Sequence, residues 1–404
     1  MDFNKLFFSF SLGYVLLFII PYSIVPLIFA YSIFPEYVVT LTLITLLSIF
    51  AYLAGLNFGF GIHINTPKLL LNFDLVIYSV FLIFIILISI IMITSNGIPI
   101  IAAINGVAAE DLSILREDFL KARSGWEASL NYLISLINGA ILPFLISVSF
   151  FIKHKNRYAF ALLFLLYCIS FLEKAYFLKL AIPLFFIYFF QVKNKFGFVL
   201  KGLGIIVFLL FIMFALTATQ EDRTNDEGFF SIYYLPTGTL DSLLWRSLVV
   251  PIVTALDGIR VFITDFGGNY LMGNTSSFFA FISGSERINF ERVLYQSQFG
   301  GSETGNANQV YIVEAFINFG FWGVFIFSFL VGKFVRLAIN SKNTTFISIM
   351  PLFLYNLFNT GLIGTLLSNG FLVLFIFVLN TKFEMIDFEA LASRNTNESP
   401  QLSE

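Results

Sequence analysis

The chain has 404 residues, of which 58% are hydrophobic and only 12% charged, with a formal net charge of −2. A soluble domain carries roughly 25% charged residues, and the apolar blocks here repeatedly reach the ~20 residues that cross a bilayer. These figures describe a polytopic membrane protein; they argue against a secreted domain, a cytosolic enzyme or a nucleic-acid binder, because no bulk positive charge is present to attract a polyanion.

The predicted fold is all-α, with about ten transmembrane helices at roughly 6–30, 37–55, 73–93, 130–152, 158–172, 174–191, 199–217, 308–332, 344–358 and 361–380. The first is overlong and carries Pro21 and Pro26, so it is expected to kink or to end near Ala30. The fifth and the last two are short, as for helices shielded by protein or a pair joined by the tight turn Asn359-Thr360-Gly361. No internal repeat is visible, nor an inverted pair of broken helices of the kind many transporters carry. Four segments follow: an N-terminal bundle over 1–217, a large external loop over 218–307, C-terminal helices over 308–382, and a polar tail over 383–404 expected to be disordered.

Lys and Arg set the predicted sidedness. Alternate connections hold Lys5; Lys68; Lys153, Lys155 and Arg157; Lys193, Lys195 and Lys201; Lys333, Arg336 and Lys342; and Lys382 with Arg394. The intervening turns at 31–36 and 359–361 hold no base, and 171–174 holds only Lys174 beside Glu173. Ten spans then place both termini in the cytoplasm. The first apolar stretch has no A-x-A-like cleavage site and reads as a membrane helix that also serves as the insertion signal.

Two long connections, 94–129 and 218–307, fall on the opposite side, and loops of that length are usually functional or disordered. Both contain aromatic and aliphatic residues in quantity, so any chemistry is expected there. In the first, Arg116, Lys121 and Arg123 alternate with Glu110, Asp111, Glu117 and Asp118 as on the solvated face of an amphipathic helix. Glu173-Lys174 opens the sixth span, with Lys179 one to two turns further in.

The longer loop holds Arg223, Arg246, Arg260, Arg287 and Arg292 and no lysine, whereas the basic loops are mostly lysine. Arginine's planar fork suits phosphate or carboxylate; the plainer alternative pairs each with a nearby acid such as Asp222, Asp226, Asp257, Glu286 or Glu291. The stretch 240–264 is mostly apolar but holds Arg246, Asp257 and Arg260. At 100° per residue Asp257 lies about 20° and Arg260 about 40° from Arg246, a polar stripe fit for a re-entrant or interfacial helix, although Pro251 interrupts its phase. Asn306 and Asn308 open the eighth span and Glu314 sits about two turns in, costly for a carboxylate unless it faces a polar cavity or a cation. Tyr311, Glu314 and Asn318 are expected to share a face, with Gly320 and Gly323 leaving room for close packing.

Some chemistry has no candidate residues. The two histidines, His63 and His154, fall in the basic loops, no GxSxG, HExxH or P-loop occurs, and no metal-ligand pattern accompanies the external acids. The single cysteine, Cys168, lies inside an apolar block and forms no framework. A metal-independent, arginine-assisted chemistry without a cofactor is what these residues permit.

The chain resembles the O-antigen (Wzy-type) oligosaccharide repeat-unit polymerases. The resemblance covers most of its length: about ten spans, a large external loop in the second half, Glu173-Lys174 before a span, Arg246 five residues before Pro251, and Asn306-x-Asn308 followed by the run from Glu314 to Gly323. It implies a membrane glycosyltransferase of the bacterial inner membrane that joins undecaprenyl-pyrophosphate-linked oligosaccharides at the periplasmic face, with room for a chain-length regulator as partner. In that reading Glu314 or Asp257 serves as base, and Lys174, Arg246, Arg260, Arg287, Arg292, Asn306 and Asn308 bind substrate and pyrophosphate. Alternatives are an O-antigen ligase, disfavoured because no external histidine is present; a lipid-linked oligosaccharide flippase, disfavoured because polar residues gather in one loop; and a non-enzymatic assembly scaffold.

Overall fold

The computed structural model describes residues 3–58, 68–107, 109–120, 127–170, 175–202, 204, 249–299 and 307–384. It is mostly helical. Five helices among these residues are long and apolar enough to cross a membrane: Lys5–Phe29, Pro35–Asn57, Phe73–Thr94, Ser129–Phe151 and Tyr311–Asn340. Arg157–Ser170, Tyr176–Gln191 and Phe371–Asn380 are shorter apolar helices. Among the described residues, five helices reach crossing length, against about ten predicted spans over the whole chain. The predicted span 199–217 falls mainly outside the described residues, and 361–380 is divided into Leu362–Leu367 and Phe371–Asn380, with Gly370 between them at a φ of 76°.

The chain forms two compact units whose segments interleave across the predicted boundaries. One comprises Met1–Phe60, Ile206–Asn340 and Leu354–Gly364; the other comprises Gly61–Ile205, Ser341–Phe353 and Thr365–Glu404.

In the first unit, the helix Lys5–Phe29 does not break at its prolines. A π-helical turn at Ile20–Ile24 absorbs Pro21, and the helix resumes to Phe29. It runs antiparallel to Pro35–Asn57: Tyr52 Oη donates to the Phe10 carbonyl, the Tyr14 and Tyr52 rings stack with centroids 3.7 Å apart, and Thr45 faces the Tyr22 carbonyl. The segment 321–340 runs parallel to Pro35–Asn57. Ser48 meets Ser328, and the Leu56 carbonyl accepts from Arg336 Nη1, each pair 280 residues apart. Backbones approach this closely because Gly55 and Gly332 face each other's helix, where a Cβ on either would collide with main chain. Arg336 covers the last carbonyls of Pro35–Asn57, at Leu56 and Asn57, and Lys333 covers that of the capping residue Phe58, as cations near a helix C-terminus do. This shared direction is the one that the placement of Lys and Arg predicts for the second and eighth spans.

The apparent 30-residue helix Tyr311–Asn340 is a hairpin. Gly320 has φ 64° and ψ −154°, and the two sides of it run in opposite directions. Tyr311 Oη lies 2.9 Å from Ser328 Oγ, yet seventeen residues of straight helix would hold the two about 25 Å apart. Ala315 and Gly323 touch across the bend, where a Cβ on Gly323 would stand 2.5 Å from the Ala315 carbonyl oxygen. The short arm 311–319 therefore starts midway along the long arm and climbs to the bend. The predicted eighth span is a half-helix followed by a full one. Sequence reading assigns both glycines to packing; the structure uses Gly320 for reversal.

In the second unit, Leu69–Leu71 pairs in parallel with Thr381–Phe383. Nearby His154 Nδ1 accepts from the Asn156 amide at 3.1 Å, so the proton of its neutral ring sits on Nε2, which faces Asp74 Oδ1 at 3.1 Å. Within Ser129–Phe151 a π-helical turn, Ile137–Ile141, carries the buried Asn138. Asn138 Nδ2 donates to Tyr167 Oη at 2.5 Å, and its Oδ1 accepts from Lys179 Nζ at 3.0 Å. That ammonium also lies 4.0 Å from the centroid of the Tyr176 ring.

Candidate functional site

The bend at Gly320 exposes main-chain groups that a continuous helix would use. The Ile317 and Asn318 carbonyls instead accept from the amides of Leu271 and Met272, at 3.0 and 3.1 Å. Asn318 completes the attachment: its Oδ1 accepts from the Gly273 amide at 2.9 Å, and its Nδ2 donates to Thr275 Oγ1 and to the Glu314 carbonyl, both at 2.8 Å. Gly273, with a φ of 88°, lets the loop turn there, and the Tyr270 ring covers Gly320. A loop distant in sequence is thereby fastened onto the half-helix one turn from Glu314.

Glu314 sits under this loop. Its Oε1 accepts from Thr275 Oγ1 at 3.4 Å, and its Oε2 is buried with no hydrogen-bond partner. Among the described residues, Glu291 and Arg287 are the charged side chains that act on it. Arg287 directs its Nε to the Thr275 carbonyl, at 3.3 Å, so the guanidinium is anchored beside the carboxylate rather than paired with it. On another side the carboxylate lies directly over the Cα of Gly361, where a Cβ would overlap both carboxylate oxygens. The result is an acid held in place by a hydroxyl, a glycine and a bend, with an arginine beside it.

Asp257 and Arg260 form a separate arrangement on the helix Val250–Thr264. Arg260 Nε donates to Asp257 Oδ1 at 2.6 Å, an i,i+3 ion pair, and Nη2 of the same guanidinium reaches Ser297 Oγ on Phe290–Phe299. The predicted stripe is thus present, and its two described members bind each other. Burial pushes the Asp257 carboxyl above the usual carboxylate range; Arg260, and less strongly Gln298, pull it back. Gly258, next along, packs on Gln309, whose buried side-chain amide has no partner for either polar atom.

A consequence for stability follows. Arg260→Ala strands a buried carboxylate and is expected to lower stability by about 3 kcal/mol, whereas Asp257→Asn combined with Arg260→Ala recovers much of it; thermal unfolding in detergent reads both. A raised acid stabilises the fold below its unfolded pKa of ~4 and loses that contribution as pH rises through the folded value. The wild-type stability should therefore decline over that interval and the Asp257→Asn profile should be flatter.

Arg287, Arg292 and Asn308 are exposed. Lys174, Arg246 and Asn306 lie outside the described residues, as do Arg223 and the Glu117–Lys121 side-chain pair. Tyr311 does not join Glu314 and Asn318: its hydroxyl meets those of Tyr14, Ser48 and Ser328 in a buried cluster. That cluster fixes the start of the half-helix against both neighbouring helices. Sequence reading places Gly361 only in the turn 359–361 and gives Thr275 no role; each reaches Glu314 only through the tertiary fold.

Comparison with protein-family models, with characterised proteins and with solved structures yields no match.

Proposed function

We propose that this membrane-embedded protein is a polysaccharide polymerase, a glycosyltransferase that joins undecaprenyl-pyrophosphate-linked oligosaccharide repeats at the periplasmic face of the bacterial inner membrane, with both termini in the cytoplasm. The observation that best supports the reading is Glu314 on a half-helix, partly buried and flanked by an anchored arginine, under a loop that leads to the helix Phe290–Phe299 with its exposed Arg292. An acceptor hydroxyl attacks the anomeric carbon of the growing chain. The bond from that carbon to the pyrophosphate oxygen breaks, the carrier pyrophosphate departs, and Glu314 receives the hydroxyl proton. Arg287 and Arg292, with Arg246 and Lys174, neutralise charge on the leaving group, and Asn306 and Asn308 orient the sugars. Asp257 serves in this scheme by fixing Arg260 rather than as the base.

The test is the size distribution of surface polysaccharide in a strain lacking the gene and complemented with variants. Glu314→Gln is expected to leave single repeats attached to the acceptor and to reduce longer products by at least about 100-fold, the usual range for loss of a general base. Full-length polymer from this variant would remove Glu314 from the chemistry. A second reading, movement of the lipid-linked repeat across the membrane, draws on the broken helix 311–340, a form that transporters use around substrate sites. Absence of even a single repeat at the acceptor in the deletion strain would favour it.

A further inference from the structure

The loop that covers Glu314 carries a second feature. From Phe266 to Ser285 it contains 20 successive residues without a charge, bracketed by Asp265 and by Glu286-Arg287. Within it lies the helix Ser277–Ser283, which starts at the Ser276 N-cap and stops at Gly284, whose φ is 65°. Its inner side is accounted for. Ala280 is buried, the Phe279 ring packs on Phe319 with centroids 5.7 Å apart, and Ser283 Oγ bonds Asn274 Oδ1 at 3.2 Å.

Its outer side is large and apolar: Phe281 is 87% exposed, Ile282 64% and Phe278 47%. In water such a patch on a seven-residue helix is unfavourable, at about 25 cal/mol for each Å² of apolar surface. The patch is not isolated. Phe319, against which the helix packs, is the last residue before the hairpin bend, and Phe321 and Trp322, the first residues beyond it, are themselves 47% and 76% exposed. These two open the apolar long arm 321–340. The exposed aromatics of Ser277–Ser283 thus continue the outward surface of a membrane helix at its end, the level at which aromatic belts occur.

We infer that Ser277–Ser283 is a membrane-inserted helix, which places Phe278, Phe281 and Ile282 among the acyl chains of the leaflet at the Gly320 end of the hairpin. Asp265 and the Glu286-Arg287 pair stay in the headgroup layer, where charged side chains remain hydrated. The lid over Glu314 is then seated in lipid. This inference concerns the bilayer alone and stands whatever reaction the protein performs.

The test is nitroxide accessibility in the full chain. Phe281→Cys and, separately, Ile282→Cys are made with Cys168→Ala, spin-labelled and reconstituted in phosphatidylcholine–phosphatidylglycerol vesicles; Asp265→Cys provides the headgroup-level reference. The ratio of collision with oxygen to collision with a water-soluble nickel chelate is expected to be at least 5-fold higher at 281 and 282 than at 265. Chelate access at 281 and 282 equal to that at 265 would overturn the proposal. So would protection of both from oxygen and chelate alike, which would mean that a second copy or another protein covers the patch.

Discussion

Replacing Gly361 by alanine is expected to abolish long polymer as completely as removing the carboxylate of Glu314 itself. The methyl group would occupy the position of both carboxylate oxygens, and the Gly361 backbone cannot retreat without moving the turn that follows Thr344–Asn359. Glu314 must rotate away instead, which breaks its contact with Thr275 and carries the acid from beside Arg287. Overpacking of this kind costs about 1–3 kcal/mol in stability, too little to unfold a protein of ordinary stability, so the variant should still accumulate in the membrane. The measurement pairs a membrane immunoblot with the polysaccharide ladder. Normal accumulation with loss of at least about 100-fold in long product is the expected result. A normal ladder would mean that the site tolerates displacement of Glu314 and that its carboxylate does not act where proposed.

The second large effect is expected at Gly320. A φ of 64° with a ψ of −154° belongs to a region open essentially to glycine, where any other residue carries about 1–3 kcal/mol of strain. Here a Cβ would also press on the Tyr270 ring at 2.9 Å. Gly320→Leu is expected to straighten the bend toward a continuous helix. That would separate Tyr311 from Ser328 and detach the loop whose amides at Leu271 and Met272 rely on the bend. The loss should be global: a lower melting temperature in detergent, poor accumulation, and protease access to the loop. Gly323→Ala should also destabilise the hairpin, because its Cβ would stand 2.5 Å from the Ala315 carbonyl oxygen and 2.6 Å from the Phe319 Cβ, neither of which can rotate aside. Equal stability of Gly320→Leu and wild type would contradict the hairpin.

What the sequence made legible follows the range of the interaction. Asp257 and Arg260 lie three residues apart, and helical geometry alone places them together, so their shared stripe was visible before the structure. The burial cost of an acid in an apolar helix likewise singles out Glu314. The reversal at Gly320 was not visible, because glycine in an apolar run serves close packing as readily as a bend, and hydropathy has no sign for direction. Tyr311 illustrates the same limit. Periodicity places it on a face with Glu314, but its partners Tyr14 and Ser48 arrive from helices 297 and 263 residues away, beyond any local pattern. Thr275 and Gly361 reach the acid across 39 and 47 residues through turns whose course only the folded backbone defines.

The parallel pair of Pro35–Asn57 with 321–340 also dictates an order of assembly. Ser48 and Gly55 leave the ribosome some 280 residues before Ser328 and Gly332, the groups they pack against. At 5–20 residues per second, synthesis of that interval takes about 15–60 s. Through that time the early helices stand in the bilayer with the hydroxyls of Ser48 and Tyr14 bonded to each other but lacking Tyr311 and Ser328, and with a glycine groove open to lipid. Their own stacking of Tyr14 on Tyr52 must hold the groove in shape until the long arm arrives. Nascent chains arrested before residue 321 should accordingly recruit membrane insertion factors to the first two helices, and release them once residue 340 has cleared the translocon.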